Sequence, residues 1–140
     1  MIIILRLCRE VVIFLTECVL SYLPASSINR ILSTNVSVKR VSFIAYEMTS
    51  NGPEDTFSQV MLKNLRDRGL DNLELFSKEG LSGLFSRYFG GTVQAQNMLQ
   101  IYDTIVSPEE HQRLNDIEMM DEWEEWNLIL QHYCLLYCTK

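Results

Sequence analysis

The sequence has no Lys/Arg-rich run, no basic stretch interleaved with aromatic residues and a formal net charge of −6. It therefore presents no basic face on which DNA would settle. It has no G-x-G-x-x-G and no G-x-x-x-x-G-K-[ST], so these residues contain no phosphate or dinucleotide cradle of their own. No serine stands in a G-x-S-x-G context, and His111 and His132 fall in predicted helices at ordinary surface and core positions, so no catalytic triad is legible.

Long uncharged apolar runs are missing too. The first twenty residues, MIIILRLCREVVIFLTECVL, are broken by Arg6, Arg9, Glu10 and Glu17, and a charge near the centre of a membrane span costs about 2.5–3.5 kcal/mol. A buried strand is the better account. The basic residues follow the first apolar run and no small-residue cleavage site appears, so no export address is expected. Cys8, Cys18, Cys134 and Cys138 include no C-x-x-C pair, which fits intracellular thiols and a cytoplasmic chain. His132, Cys134 and Cys138 suggest a metal at first sight. On a strand, however, the two cysteines stand about 13 Å apart, too far to share one zinc ion. No metal is expected, and both read as small apolar side chains.

What is present is 47% apolar content in 140 residues, enough for one core and too little for two domains. Val11 to Thr16 is almost wholly apolar, the composition of a strand covered on both faces. It ends at a single carboxylate, Glu17, at the place where open α/β sheets bind ligands. Pro24 suits the first position of a helix whose buried stripe is Ile28, Ile31 and Leu32. Val41 to Tyr46 reads as a second strand, with Glu47 at its end.

The TSNGP segment supplies turn chemistry. Asp55 then caps a helix with Phe57, Val60, Met61 and Leu65 on one face, and Gly69 ends it. Strand, helix, strand, helix in this order argues for a parallel sheet with crossover helices. Leu70 to Phe89 reads as one broken helix before a Gly90-Gly91 turn. Thr92 to Gln96 has weak strand character and leads into a helix near Met98 to Ile105. Ser107, Pro108 and Glu110 occupy the N-cap, N1 and N3 positions of another.

Asp121, Glu122, Glu124 and Glu125 fit a solvated helix start rather than a metal cluster, with Trp123, Trp126 and Leu130 opposite them as core. Tyr133 to Thr139 closes the chain as a buried strand.

Four strings, taken in order and at these spacings, carry a resemblance: ECVLSYL (Glu17 to Leu23), FIAYE (Phe43 to Glu47), FSQVMLKNL (Phe57 to Leu65) and MDEWEEWNLILQHYCLLYCTK at the end. Together they resemble the carboxyl-terminal half of the leucine carboxyl methyltransferases, over residues 11–140, while residues 1–10 match nothing. The ending HYCLLYCTK looks more like the branch that methylates the terminal leucine of the protein phosphatase 2A catalytic subunit. DEWEEW echoes the branch that acts on a wybutosine precursor in tRNA, which would make tRNA the alternative partner. A third reading is a non-catalytic binding or oligomerising remnant.

The resemblance implies an α/β chain carrying the later strands, with flanking helices, of the Rossmann-like fold of S-adenosylmethionine-dependent methyltransferases. The cofactor's glycine loop and most of its site would lie in sequence absent here, leaving this chain truncated and inactive alone. Glu17 matches a family glutamate that contacts the cofactor, and Tyr22 a tyrosine on the substrate side. Tyr46, Glu47 and Gln59 match positions that shape the pocket, and no catalytic residue is assigned. Ser58 replaces a family glycine, and the turn after Glu47 is two residues longer. Without the preceding half, the first strand is expected to expose an unpaired edge and an uncovered face.

Overall fold

A computed structural model describes residues 1–8, 10–34, 39–71, 73–119 and 121–140. Arg9, one of the charges that interrupt the amino-terminal apolar run, lies outside the described residues, as does the Cys8 side chain. The chain forms one mixed sheet flanked by helices. Its strands are β1 (Ile2–Cys8), β2 (Val11–Glu17), β3 (Arg40–Met48), β4 (Val93–Asn97) and β5 (Tyr133–Thr139), in the spatial order β1-β2-β3-β5-β4. β2 and β3 are parallel, joined by a crossover that contains α1 (Ala25–Leu32); the other pairings are antiparallel.

The parallel pair at Val11–Glu17 and Arg40–Met48 is where the β-branched, apolar runs place it. The edge is not. β1 runs antiparallel along β2, with Ile4 opposite Phe14 and Leu5 opposite Ile13, so the expected free edge of β2 is paired. Residues 2–5 are all apolar and strand-prone, and a turn near Glu10 folds them back as a hairpin instead of continuing one long run.

The core occupies one face of the sheet. Val12, Phe14, Phe43, Ala45, Leu136 and Cys138 point into it, against Ile28 and Leu32 of α1 and Leu81 and Phe85 of α3 (Lys78–Ser86). Phe43 is its hub, stacked on Phe14 at 5.7 Å and edge-on to Phe85 at 4.9 Å. Each such fully buried side chain contributes about 1.5–3 kcal/mol.

Local signals set several ends. The Asp55 side chain accepts the Ser58 N–H to cap α2 (Thr56–Arg66), and Gly69 takes φ 86° just past its end. Asn97 and Gln100 form a reciprocal capping box on α4 (Met98–Thr104), and Ser107 caps α5 (Pro108–Ile117) with proline in its first turn. Pro24 stands at the N-cap of α1 rather than inside it.

Two further expectations fail. Residues 70–71 and 73–77 are not helical: Ser77 caps α3, and residues 73–76 run across the sheet end, bridged at Phe76 to Thr49. Gly69 ends one helix and the Ser77 cap starts the next, which confines α3 to Lys78–Ser86. Trp123, at the start of α6 (Trp123–Gln131), is 39% exposed, and neither Trp126 nor Leu130 reaches the buried core. That helix packs through Trp126 against Tyr102 of α4, away from the sheet's buried face. No helix among the described residues is long and apolar enough to cross a membrane.

Candidate functional site

Parallel strands β2 and β3 end side by side, with Glu17 in register with Tyr46. Open sheets present ligands to this end of parallel strands. Glu17 is exposed and still part of the strand, and its side chain has no ion-pair partner among the described residues. Its backbone is held from the hairpin: the Glu17 N–H donates to the Met1 carbonyl at 2.9 Å, and the Met1 amine donates to the Glu17 carbonyl at 2.8 Å.

The chain leaves β2 by a sharp turn. Cys18 takes φ 47° and donates its N–H to the Tyr46 carbonyl at 2.7 Å. A non-glycine residue in the left-handed region is strained and marks a place where surrounding structure imposes the conformation. What imposes it here is Glu47. The Glu47 side chain is fully buried, and its carboxylate accepts the N–H groups of Val19 at 3.0 and 3.2 Å and of Leu20 at 3.1 Å. Val19 precedes a short 3-10 turn, Leu20–Tyr22. The carboxylate thus satisfies amides that the turn itself leaves without partners.

Burial pushes the Glu47 carboxyl upward, against the lowering effect of the Leu20 and Val19 amides. Burial, reinforced by Glu47 and Glu17, pushes the Cys18 thiol upward and keeps it protonated. Tyr46 and Tyr133 stack at 5.3 Å, and burial raises both phenols. Among the described residues, the strand ends therefore hold an exposed carboxylate at Glu17 beside protonated Cys18, Tyr46 and Tyr133. An exposed carboxylate suits a cationic or hydroxyl-bearing ligand.

Tyr22 is 39% exposed and lines a cleft of about 160 Å³ with Leu70, Asp71 and Leu73. The non-helical segment 73–77 closes in beside it: the Glu74 N–H donates to the Ser21 carbonyl, and the Ser50 N–H to the Phe76 carbonyl. A second cleft, of about 450 Å³, is lined by Ser50, Asp55, Ser58, Gln59, Arg66 and Glu74, among others. Gln59 is held there by donating from Nε2 to the Pro53 carbonyl at 2.6 Å. The structure thus gathers Glu17, Tyr46 and Glu47 at the strand ends with Tyr22 at their margin, and sets Gln59 in the neighbouring cleft.

One network was not anticipated. His132, read from sequence as an ordinary core residue, is 2% exposed. Its Nδ1 lies 2.6 Å from the Leu128 carbonyl oxygen, and its Nε2 lies 2.9 Å from Oδ2 of Asp55. A carbonyl only accepts, so Nδ1 donates to Leu128, while Nε2 faces both Asp55 Oδ2 and, at 3.2 Å, the Nδ2 of Asn51. Asp55 also accepts from Ser58 and from the Asn51 N–H. Burial alone would raise its carboxyl, but the Ser58, Asn51 and His132 donors outweigh that and hold it well below the usual carboxylate range. The Asp55 helix cap was the sole sequence signal for this network.

No model of a known protein family matches the chain. Curated proteins do. It is 31% identical over 130 residues to the leucine carboxyl methyltransferase 1 homolog of Arabidopsis thaliana, across 90% of this chain and 39% of that one. It is 36% identical over 128 residues to leucine carboxyl methyltransferase 1 of Caenorhabditis elegans, across 89% and 38%. For the Schizosaccharomyces pombe leucine carboxyl methyltransferase 1 the identity is 35% over 135 residues, across 91% and 42%. The chain is homologous to a part of the leucine carboxyl methyltransferases. It spans about two fifths of the length of the relatives it matches, and its five-stranded, helix-flanked sheet is part of a methyltransferase-like fold.

Proposed function

We propose that the chain is the carboxyl-terminal part of a cytoplasmic, S-adenosylmethionine-dependent methyltransferase that esterifies the terminal leucine carboxylate of the protein phosphatase 2A catalytic subunit. The observation that carries this reading is the exposed Glu17 carboxylate at the end of a strand with a parallel neighbour, in a chain whose relatives are named for leucine carboxyl methylation. Glu17 would hold the cationic portion of the cofactor, and Tyr22 would face the acceptor. Tyr46, Glu47 and Gln59 would shape the pocket.

The acceptor explains why no base is needed. A terminal carboxyl group has a reference pKa of about 3.3–3.7 and is already an anionic nucleophile at neutral pH. S-adenosylmethionine supplies the methyl group on a sulfonium, and the protein's task is alignment and charge placement. Protonated Cys18, Tyr46 and Tyr133 and an amide-engaged Glu47 suit such a site. The rest of the cofactor site lies outside these residues, so the 140-residue chain alone does not bind S-adenosylmethionine measurably.

The test is transfer of a tritiated methyl group to a phosphatase carboxyl-terminal peptide by a protein in which this chain completes a methyltransferase domain. The peptide should be labelled, and the same peptide with its terminal carboxyl amidated should not. Labelling of tRNA in place of the peptide, or of neither, overturns the reading.

A further inference from the structure

His132 stands where α6 meets β5, and its main chain is tied to the sheet: its carbonyl accepts the Thr49 N–H at 2.8 Å, one residue past the end of β3. The ring is fixed as well. Nδ1 donates to the Leu128 carbonyl at 2.6 Å, and the imidazole lies 4.4 Å from the ring of Phe57 in the first turn of α2.

What the ring holds is the turn between β3 and α2. Nε2 reaches Asp55 Oδ2 at 2.9 Å and Asn51 Nδ2 at 3.2 Å, contacts that span 77 and 81 residues of sequence. Asp55 in turn accepts the Asn51 N–H at 2.9 Å and caps α2 through the Ser58 N–H. Gly52, at φ 128°, gives this turn little stiffness of its own. Its path is therefore set from outside, by the buried imidazole.

That turn walls the larger of the two clefts. Ser50, Gly52, Pro53 and Asp55 line it together with Ser58 and Gln59 of α2, and Leu73 lines both this cleft and the one that holds Tyr22. The clefts thus share a wall on the side where the functional reading places the acceptor. The cofactor side is marked instead by Glu17, at the end of β2.

We infer that His132 is a positioning residue for the acceptor: through Asn51 and Asp55 it sets the wall of the cleft along which the acceptor chain lies beside Tyr22, without contributing to the hold on the methyl donor. The inference rests on the functional reading above for what the cleft receives. Because His132 acts through the turn, its loss weakens acceptor binding and leaves transfer within the bound complex near its native rate, a change in KM with little change in kcat.

Two substitutions separate this role from packing. In His132→Gln the side-chain amide reaches the place of Nε2, where it can donate to Asp55 and accept from Asn51. In His132→Asn it reaches only the place of Nδ1 and keeps the Leu128 bond. Both lose the ring contact with Phe57, so a role in packing alone would impair them alike.

Steady-state methyl transfer by the completed methyltransferase domain containing this chain, with a phosphatase carboxyl-terminal peptide as acceptor, is the test. His132→Asn should raise the KM for the peptide about tenfold, with kcat and the Kd for S-adenosylmethionine within about threefold of native. His132→Gln should keep all three within about threefold. Asn51→Ala, at an exposed position, removes one of the two contacts from the turn's side and should raise the peptide KM about threefold, a readout that stands even if His132→Asn does not fold. In the 140-residue chain itself, the amides of residues 49–55 should exchange hydrogen faster in Asn51→Ala and His132→Asn than in His132→Gln. A peptide KM indifferent to these substitutions overturns the inference, as does a loss confined to kcat or to the cofactor Kd, or His132→Gln as impaired as His132→Asn. A native protein that labels no peptide brings down the functional reading and this inference with it; one that labels the peptide with an unaltered KM in the variants brings down this inference alone.

Discussion

Oε2 of Glu47 accepts the backbone N–H of Leu20 at 3.1 Å, linking the end of β3 to a turn 27 residues earlier in the chain. With the Val19 N–H on the same carboxylate, this bond holds the peptide after Glu17 in its left-handed exit. Glu47 thus supports the turn that follows Glu17.

Replacing Glu47 by Ala strands two amides in a buried place and should destabilise the fold by about 2 kcal/mol. Glu47→Gln separates charge from shape. Burial raises the folded-state pKa of Glu47 above its ordinary 4.5, so the folded protein holds that proton more firmly than the unfolded chain. Its contribution to stability is complete below pH 4.5 and is lost as pH rises through the raised value. The melting temperature of the native chain relative to Glu47→Gln, measured by circular dichroism, should therefore fall as pH rises above 4.5. A constant difference would refute the assignment.

Asp55 behaves in the opposite sense. Its carboxyl is held below the ordinary 3.8, so its contribution is present above that value and is lost as pH falls through the depressed one. Asp55→Asn should cost about 2–3 kcal/mol in urea unfolding at pH 7, because it removes a part-buried carboxylate that accepts from Ser58, Asn51 and His132. It should also flatten the acid limb of the stability curve. An unchanged acid limb means that the Asp55 carboxyl is not held low by its Ser58, Asn51 and His132 donors.

Gly91 and Gly90 make a controlled pair. A Cβ at Gly91 would lie 2.3 Å from the Thr139 carbonyl oxygen, a backbone atom, whereas one at Gly90 meets nothing within 4 Å. Gly91→Ala should destabilise the β4–β5 region by about 1–3 kcal/mol, and Gly90→Ala should change stability by no more than about 0.5 kcal/mol. Equal effects in thermal unfolding would mean that β5 does not end against this turn.

Elements written in local signals were legible. Val11 to Glu17, Val41 to Tyr46 and Tyr133 to Thr139 carry apolar strand runs, and Asp55, Gly69 and Ser107 mark helix ends by their own chemistry. What required tertiary contacts was not. The hairpin of β1 on β2 hides inside one apolar run, and the path of residues 73–77 is fixed by bonds to Ser21 and Ser50 rather than by its own periodicity. The site shows the same division. The position of Glu17 comes from where an apolar run stops. The work of Glu47 does not, because its amide partners lie 27 and 28 residues away, and the His132–Asp55 contact spans 77.

The most direct measurement of the central claim is isothermal titration calorimetry of S-adenosylmethionine into the completed methyltransferase domain containing this chain, native and Glu17→Ala. A free carboxylate lining the cofactor site predicts at least tenfold weaker binding by Glu17→Ala, about 1.4 kcal/mol, with an unchanged melting temperature. Equal affinities in two equally folded proteins would contradict it.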